Sequence, residues 1–347
     1  MPQSTQRLIA IGASTGGIEA LKVLVAGLPA NFPAAIAIVN HIAPDSPGYL
    51  PEILSQAGRL PADNARDGEP IRAGRIYVAP PDRHLLVRPG YLTLSQSARE
   101  NRARPAIDPL FRSAAVAYGN RAIGVVLTGA LDDGTAGLAA IKGCSGLAVV
   151  QDPVDAAMPS MPESALRHVI VDHVVPLREM ALLLVKLVEE DPPRDLREIA
   201  AIKREIEMEL KFAVGEMSGA KITELGEPSL FTCPECHGML VELHGKLPLR
   251  YRCHTGHAFT AANLVAALRE NNESSLWSTI RSFQEMAALL RHIAEHAGDR
   301  QQANLSSELE RHAADAERQA GQLRAVLTER DPGLDEAAVA VANEAEG

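Results

Sequence analysis

Five short apolar runs, each followed by turn residues, constrain the first 180 residues more than any other feature. They are Leu8–Ala13, Ala34–Asn40, Gly74–Ala79, Arg121–Thr128 and Leu147–Gln151, and several are rich in Ile and Val. Helical stretches, 17–27, 105–118 and 134–143, lie between several of them. Strands that alternate with helices predict a parallel sheet with helices on both faces, the α/β doubly wound, Rossmann-like class. One segment breaks the pattern. Residues 84–94 form an apolar pair of runs around Pro89-Gly90, which predicts a β-hairpin.

The second half has a different character. Asp191-Pro-Pro-Arg194 marks a boundary, and a charged helical stretch follows over 196–217. A Cys/His-rich unit then occupies 231–260, and helical patterns run over 262–296 and 304–330. Leu305, Leu309, Ala313, Ala316, Leu323 and Leu327 make one apolar stripe on the last, which predicts an antiparallel helical hairpin. The expected division is 1–190 for the α/β domain, 191–227 for a helical linker, 228–260 for a small zinc-ribbon-like unit, 261–330 for the hairpin and 331–347 for a disordered acidic tail.

Charge and hydropathy exclude several functions. Residues 191–347 carry 17 Lys and Arg against 26 Asp and Glu. Nucleic-acid binding needs cationic surface, so the second half is not expected to bind nucleic acid. No apolar run reaches the roughly 18 residues of a membrane helix, and no signal-peptide core precedes a cleavage site. The chain is therefore expected to be cytoplasmic and not membrane-inserted.

Chemistry gathers at the carboxyl ends of the strands, where open α/β sheets hold their functional crevice. The first strand ends in Gly12-Ala-Ser-Thr-Gly-Gly17, the second in Val39-Asn-His41 and the fourth in Thr128-Gly-Ala-Leu-Asp-Asp-Gly134. A Ser, a His and an Asp thus reach one edge from three strands. Ser is a weak nucleophile until a base takes its proton, and that imidazole needs a carboxylate to fix its tautomer. Ser14 also stands at a helix N-terminus, where free N–H groups can stabilise an oxyanion. Other readings exist for each residue. A Gly-rich strand-to-helix turn commonly binds phosphate, but the spacing here is not G-x-G-x-x-G and no G-K-[ST] follows. A lone Ser can be a helix cap, His41 can be structural, and Asp132 or Asp133 can cap the next helix.

These same residues carry a family resemblance. IGASTGGIEAL, VNHIAPDSPGYL, RIYVAPPDRHLLV, RPAIDPLFRSAA, GVVLTGALDDGTAGL and QDPVDAAMPSMPESAL resemble, in that order, the catalytic domain of the chemotaxis protein-glutamate methylesterases over residues 8–180. The resemblance implies hydrolysis of glutamate methyl esters on the cytoplasmic helices of chemoreceptors, releasing methanol, without a catalytic cofactor. Many members also deamidate receptor glutamine. It places the nucleophile on Ser14, the base on His41 and the acid on Asp133. It further implies an oxyanion hole from backbone N–H near Ala130, with Thr15 beside the nucleophile. Some members have Met-Gly-Asn where this chain has Ala130-Leu131-Asp132. Better-known members carry an N-terminal receiver domain, for which a motif beginning at residue 8 leaves no room. Arg99, Arg102 and Arg104 precede the 105–118 helix and are read either as a solvated loop or as a steering patch for an acidic receptor helix.

The Cys/His unit has metal-ligand spacing. Cys233-Pro-Glu-Cys236 is followed after 16 residues by Cys253-His-Thr-Gly-His257. Tetrahedral zinc takes four N/S ligands, commonly as two pairs from two tight turns. Cys233, Cys236, Cys253 and His257 are the expected set, with His254 the competing fourth ligand and His237 a weaker one. A redox C-x-x-C is the alternative, but no thioredoxin-like βαβ pattern surrounds it. Four protein ligands make the zinc structural. Cys144 is expected to be a buried apolar residue. A non-catalytic scaffold that docks receptors and recruits a partner through the ribbon is the competing function. In either case residues 191–347 are expected to target or regulate, through a possible regulatory partner, and the chemistry to lie wholly before residue 190.

Overall fold

The computed structural model describes residues 7–192, 200–216, 219–244, 248–299 and 303–328. It divides into two compact units, 1–264 and 265–347. The first opens with β1 (Leu8–Ala13), α1 (Gly17–Ala26), β2 (Ala35–Asn40), α2 (Leu50–Ala57), β3 (Ala62–Asn64) and β4 (Ile76–Val78). A hairpin of β5 (His84–Arg88) and β6 (Tyr91–Ser95) follows, turning at Gly90 with φ 87°. Then come α3 (Ile107–Tyr118), β7 (Ala122–Val126), α4 (Thr135–Gly143), β8 (Leu147–Gln151), α5 (Ser160–His168), β9 (His173–Val175) and α6 (Leu177–Glu189). Seven strands form one parallel sheet in the order β3-β4-β2-β1-β7-β8-β9.

Period-2 alternation explains the three layers. Leu8, Ala10, Ala35, Ala37 and Val39 face one core with Ile107, Leu110 and Phe111 of α3, Leu138 and Ile141 of α4 and Met161 of α5. Ile9, Ile11, Ala13, Ile36 and Ile38 face the other with Leu21 and Leu24 of α1, Leu54 of α2 and Met180 and Leu184 of α6. Strands covered on both faces are apolar throughout, which is why the runs carry almost no polar residue. The chain order reverses between β1 and β7, a switch point that opens a crevice at their carboxyl ends.

The remaining elements of this unit are α7 (Ala200–Ala213) and an antiparallel sheet of β10 (Gly226–Thr232), β11 (Met239–Leu243), β12 (Arg250–Cys253) and β13 (Ala258–Thr260). α8 (Ala261–Asp299) follows directly on β13. In the second unit α8 and α9 (Ala303–Thr328) pair through Ala287 against Ala313 and Ala316, with Arg291 bonded to Glu317. Of the helical stretch expected over 196–217, α7 occupies Ala200–Ala213 and packs Ile206 and Leu210 into the α/β core; its start lies outside the described residues, as does the tail at 331–347. Two edge strands, β3 and β9, and three helices, α2, α5 and α6, go beyond the five runs read from the sequence. The edge strands have only three residues each, too few to show a period.

Gly12 lets α3 approach the sheet. A Cβ there would stand 2.4 Å from Ile107 Cγ2. Gly12→Ala should therefore destabilise the protein by about 1–3 kcal/mol in urea unfolding, the usual range for overpacking. Combining it with Ile107→Ala, which removes the clashing Cγ2, should cost less than the two single changes added together. Strict additivity would contradict this contact.

Candidate active site

The three strand-end residues meet in a hydrogen-bonded chain. Ser14 follows β1, His41 follows β2, and Asp133 sits in the turn between β7 and α4. His41 Nδ1 lies 3.1 Å from Ser14 Oγ, and His41 Nε2 lies 2.8 Å from Asp133 Oδ2. Asp133 is buried, whereas Ser14 and His41 are partly open to a pocket of about 440 Å³. Ile42, Pro44, Arg99, Arg102, Ala130 and Asn263 also line this pocket.

Asp133 receives five hydrogen bonds. His41 Nε2 and the Ile107 N–H, at 2.7 Å, reach Oδ2. Asn101 Nδ2 at 2.8 Å, Gly134 N–H at 3.0 Å and Asp108 N–H at 3.3 Å reach Oδ1. Two of these donors are the first amides of α3, which has no side-chain cap of its own. Asp133 thus caps that helix from another element and gains the positive end of its dipole. Burial alone would push its carboxyl up. The bonds from His41, Ile107 and Asn101 outweigh burial and hold it below the usual range. An ionised Asp133 makes Nε2 the protonated nitrogen and leaves Nδ1 to accept from Ser14.

The turn after β1 commits its amides to backbone partners. Ser14 N–H donates to the Thr128 carbonyl at 3.0 Å, and Gly129 N–H to the Met158 carbonyl at 2.9 Å. Thr128 Oγ1 donates to the Thr15 carbonyl and accepts from Met158 N–H. Of the expected oxyanion residues, Ala130 lines the pocket beside Ser14, whereas Thr15 is absent from the lining. Leu131 holds φ at 61°, a strained value for a bulky residue, where the loop passes the pocket. The basic run separates. All three border the pocket, but Arg104 is engaged by Asp82 at 2.6 Å and Arg99 lies 4.0 Å from Glu235.

Several participants carried no sequence signal. Asn101 lies in a polar loop with no periodicity, and the carboxylate-capping amides of Ile107 and Asp108 are backbone groups. Thr260 and Asn263 come from the second half of the chain. Both hydrogen-bond Asp132 Oδ1, Thr260 through Oγ1 at 2.8 Å and Asn263 through Nδ2. The expectation that everything beyond residue 190 stands apart from the site is thereby corrected. The cause is geometric, because β13 and the first turn of α8 pack directly on the loop that follows β7.

Cys233, Cys236, Cys253 and His257 also converge, with one ligand atom from each within 4.8 Å of the others. Cys236 Sγ lies 3.6 Å from Cys253 Sγ, and His257 Nδ1 lies 3.5 Å from Cys253 Sγ and 3.7 Å from Cys233 Sγ. Corners of a tetrahedron around zinc, with bonds of about 2.3 Å to sulfur and 2.0 Å to nitrogen, are separated by similar distances. Three thiols and an imidazole are zinc-type donors, so the residues fit. His254 and His237 are exposed and outside this cluster. The His254 ring lies over Gly238, where a Cβ would stand 2.3 Å from its Cε1. Cys144 is buried in the α/β core.

Comparison with known proteins identifies the family of the α/β domain. The CheB methylesterase family model matches residues 9–184. The chain belongs to that family. A relative from Leptospira interrogans is 43% identical over 180 residues, which are 52% of this chain and 93% of that protein. A protein-glutamate methylesterase/protein-glutamine glutaminase 2 from Anaeromyxobacter dehalogenans is 41% identical over 192 residues, 55% of this chain and 53% of that one. The crystal structure of the Thermotoga maritima CheB methylesterase catalytic domain superposes with a TM-score of 0.52 at 33% identity, covering 53% of this chain and 99% of that one. Among the described residues no helix is long and apolar enough to cross a membrane.

Two further buried carboxyls make the site's stability pH-dependent. Burial pushes Asp132 up to about 6, with hydrogen bonds from Thr260 opposing and the Asp133 charge adding to it. Burial and the Asp133 charge likewise push Asp108 up to about 7. A carboxyl raised in the folded state holds protons that the unfolded chain has released, so stability falls as pH rises from about 4 through these values. Asp132→Asn keeps an acceptor oxygen for Thr260 and Asn263. It should flatten the fall between pH 5 and 8 by about 1 kcal/mol in urea titrations. An unchanged slope would show that Asp132 is not the titrating group.

Proposed function

We propose that this chain hydrolyses the methyl esters of receptor glutamate side chains through a Ser14–His41–Asp133 triad. The single observation that carries the reading is the continuous hydrogen-bonded chain from Asp133 to Ser14 Oγ at the pocket, in a chain of the CheB methylesterase family. His41 Nδ1 takes the Ser14 proton as Oγ attacks the ester carbonyl. The imidazolium faces ionised Asp133, which stabilises it without taking the proton. The tetrahedral intermediate collapses as His41 returns the proton to the departing methoxide, releasing methanol and leaving a glutamyl ester on Ser14. Water activated by His41 then frees the carboxylate and restores Ser14. The amide N–H of Ala130, which lines the pocket, is our candidate oxyanion donor, with Thr15 next to the nucleophile in the chain. The same steps on a glutamine amide release ammonia, in keeping with the glutaminase half of the relatives' names.

The substrate would be presented on the cytoplasmic helices of chemoreceptors, with Arg99 and Arg102 at the pocket rim attracting acidic helices. Methanol release from methylated receptor membranes tests the reading. Ser14→Ala should lose activity by several orders of magnitude, about a millionfold where serine proteases lose the nucleophile. Asp133→Asn should reduce turnover far more than Asp132→Asn. Methanol release by Ser14→Ala within tenfold of wild type would contradict the triad, and the reverse order of the two Asp variants would move the acid to Asp132.

The Cys/His unit would hold one structural zinc through Cys233, Cys236, Cys253 and His257, in a zinc-ribbon-like fold of β10–β13. Its role would be to fix the turns between these strands, because four protein ligands leave no open position for chemistry. The α8–α9 hairpin would serve a regulatory partner. Elemental analysis of protein purified without chelators should find about one zinc per chain. His257→Ala should weaken retention and His254→Ala should not. Metal-free protein with an unaltered melting profile would refute the assignment.

A further inference from the structure

The loop that holds the carboxylate of the site is itself held by the second half of the chain. Glu100 and Ala103 exchange both backbone hydrogen bonds around Asn101 and Arg102, at φ 49° and 66°. This is a two-residue reversal of the positive-φ kind, in which Asn is well tolerated. It aims the Asn101 amide inward, where Nδ2 donates to Asp133 Oδ1 at 2.8 Å and to Asp108 Oδ2 at 2.9 Å. With both amide hydrogens so directed, Asn101 needs an acceptor-side partner to set the plane of its amide. That partner is the Thr260 N–H, at 3.0 Å from Oδ1.

β13 binds the reversal along its backbone as well. Asn101 N–H donates to the Ala258 carbonyl at 2.8 Å, and Ala258 N–H donates to the Arg99 carbonyl at 3.2 Å. Beneath the turn, buried Glu100 pairs with Arg112 of α3 and with Arg252 of β12, the latter at 2.9 Å. Glu209 of α7 continues the network to Arg250 at 2.7 Å and to Arg112 at 3.7 Å. Arg252 and Glu100 are almost wholly removed from solvent. Removing one partner of such a pair leaves the other charge buried and uncompensated, so each member of the network depends on the others.

We propose that Asn101 is a positioning residue for Asp133, and that β12–β13 completes the catalytic centre by fixing Asn101 through Thr260. The inference rests on the Ser14–His41–Asp133 reading. It assigns to the segment 250–260 a part in catalysis that no residue before 190 supplies. Asn101 borders the pocket, and its amide bonds Asp133 and Asp108, not Ser14. It acts through the orientation of the carboxylate, and hence of the His41 ring. Misplacing a catalytic group by about 1 Å can lower a rate roughly a hundredfold.

The test uses the full chain and p-nitrophenyl acetate as the probe. It compares wild type, Asn101→Ala, Arg252→Lys and Ser14→Ala by kcat, KM and the downfield proton resonance of His41 Nε2–H. Asn101→Ala should lower kcat about ten- to a hundredfold with KM changed less than about threefold, and should shift or abolish the resonance. Arg252→Lys keeps the charge but shortens the reach and loses the planar fork. It should act in the same direction, by about threefold or more. Ser14→Ala should abolish turnover and leave the resonance in place. A folded Asn101→Ala with kcat within twofold of wild type and an unmoved resonance overturns the proposal, while an inactive Ser14→Ala keeps the triad. Where Asn101→Ala does not fold, Arg252→Lys decides by the same two readouts. Turnover that survives Ser14→Ala overturns the triad and this proposal together.

Discussion

A buried negative charge on Asp133 is the constraint on which the rest of this site depends. Desolvation opposes ionisation strongly, so the fold must deliver enough donors to reverse it. It does so with one imidazole, one carboxamide and three backbone amides. Two of those amides are free only because they begin a helix. α3 can present them only because Gly12 lets it lie close to β1. The carboxylate, the helix start and the glycine are thus one arrangement seen at three levels. Its neighbours Asp108 and Asp132 bear the opposite consequence, since burial first and the adjacent Asp133 charge after it push both up.

The same logic joins the two halves of the sequence. Glu100, Arg112, Glu209, Arg250 and Arg252 form a sequestered network drawn from a loop, two helices and a strand, spanning 152 positions between Glu100 and Arg252. Such networks are high-stakes, because each member needs its partners to offset desolvation. Here they seat β12 and β13 against the Asn101 turn. The Cys/His cluster lies at the other end of these strands, with Cys253 closing β12 and His257 just before β13. Whatever fixes that turn also fixes the position of Thr260.

Much of this was legible from the sequence, for definite physical reasons. Strands buried on both faces must be apolar throughout, so β1, β2 and β8 stand out as runs of Ile, Val, Leu and Ala. Gly12-Ala-Ser-Thr-Gly-Gly17 and Asp132-Asp-Gly134 are recognisable because tight strand-to-helix turns demand particular residues. The Cys and His ligand spacings follow from the turns that bring them together. What escaped was long-range or carried by backbone. Three-residue edge strands have no measurable period. Asn101 looks like any polar loop residue, because its partners lie 7, 32 and 159 positions away. The docking of β13 beside the carboxylate depends on tertiary packing, which no local pattern encodes.

The central claim is that Ser14 Oγ is the nucleophile and that His41, oriented by Asp133, activates it. Covalent labelling with a fluorophosphonate, read by mass spectrometry of the intact chain and its peptides, tests this without any assumption about the natural substrate. The account predicts a single adduct on the peptide containing Ser14, with labelling slowed by orders of magnitude in His41→Ala. An adduct on another residue, or equal labelling rates for wild type and His41→Ala, would contradict it.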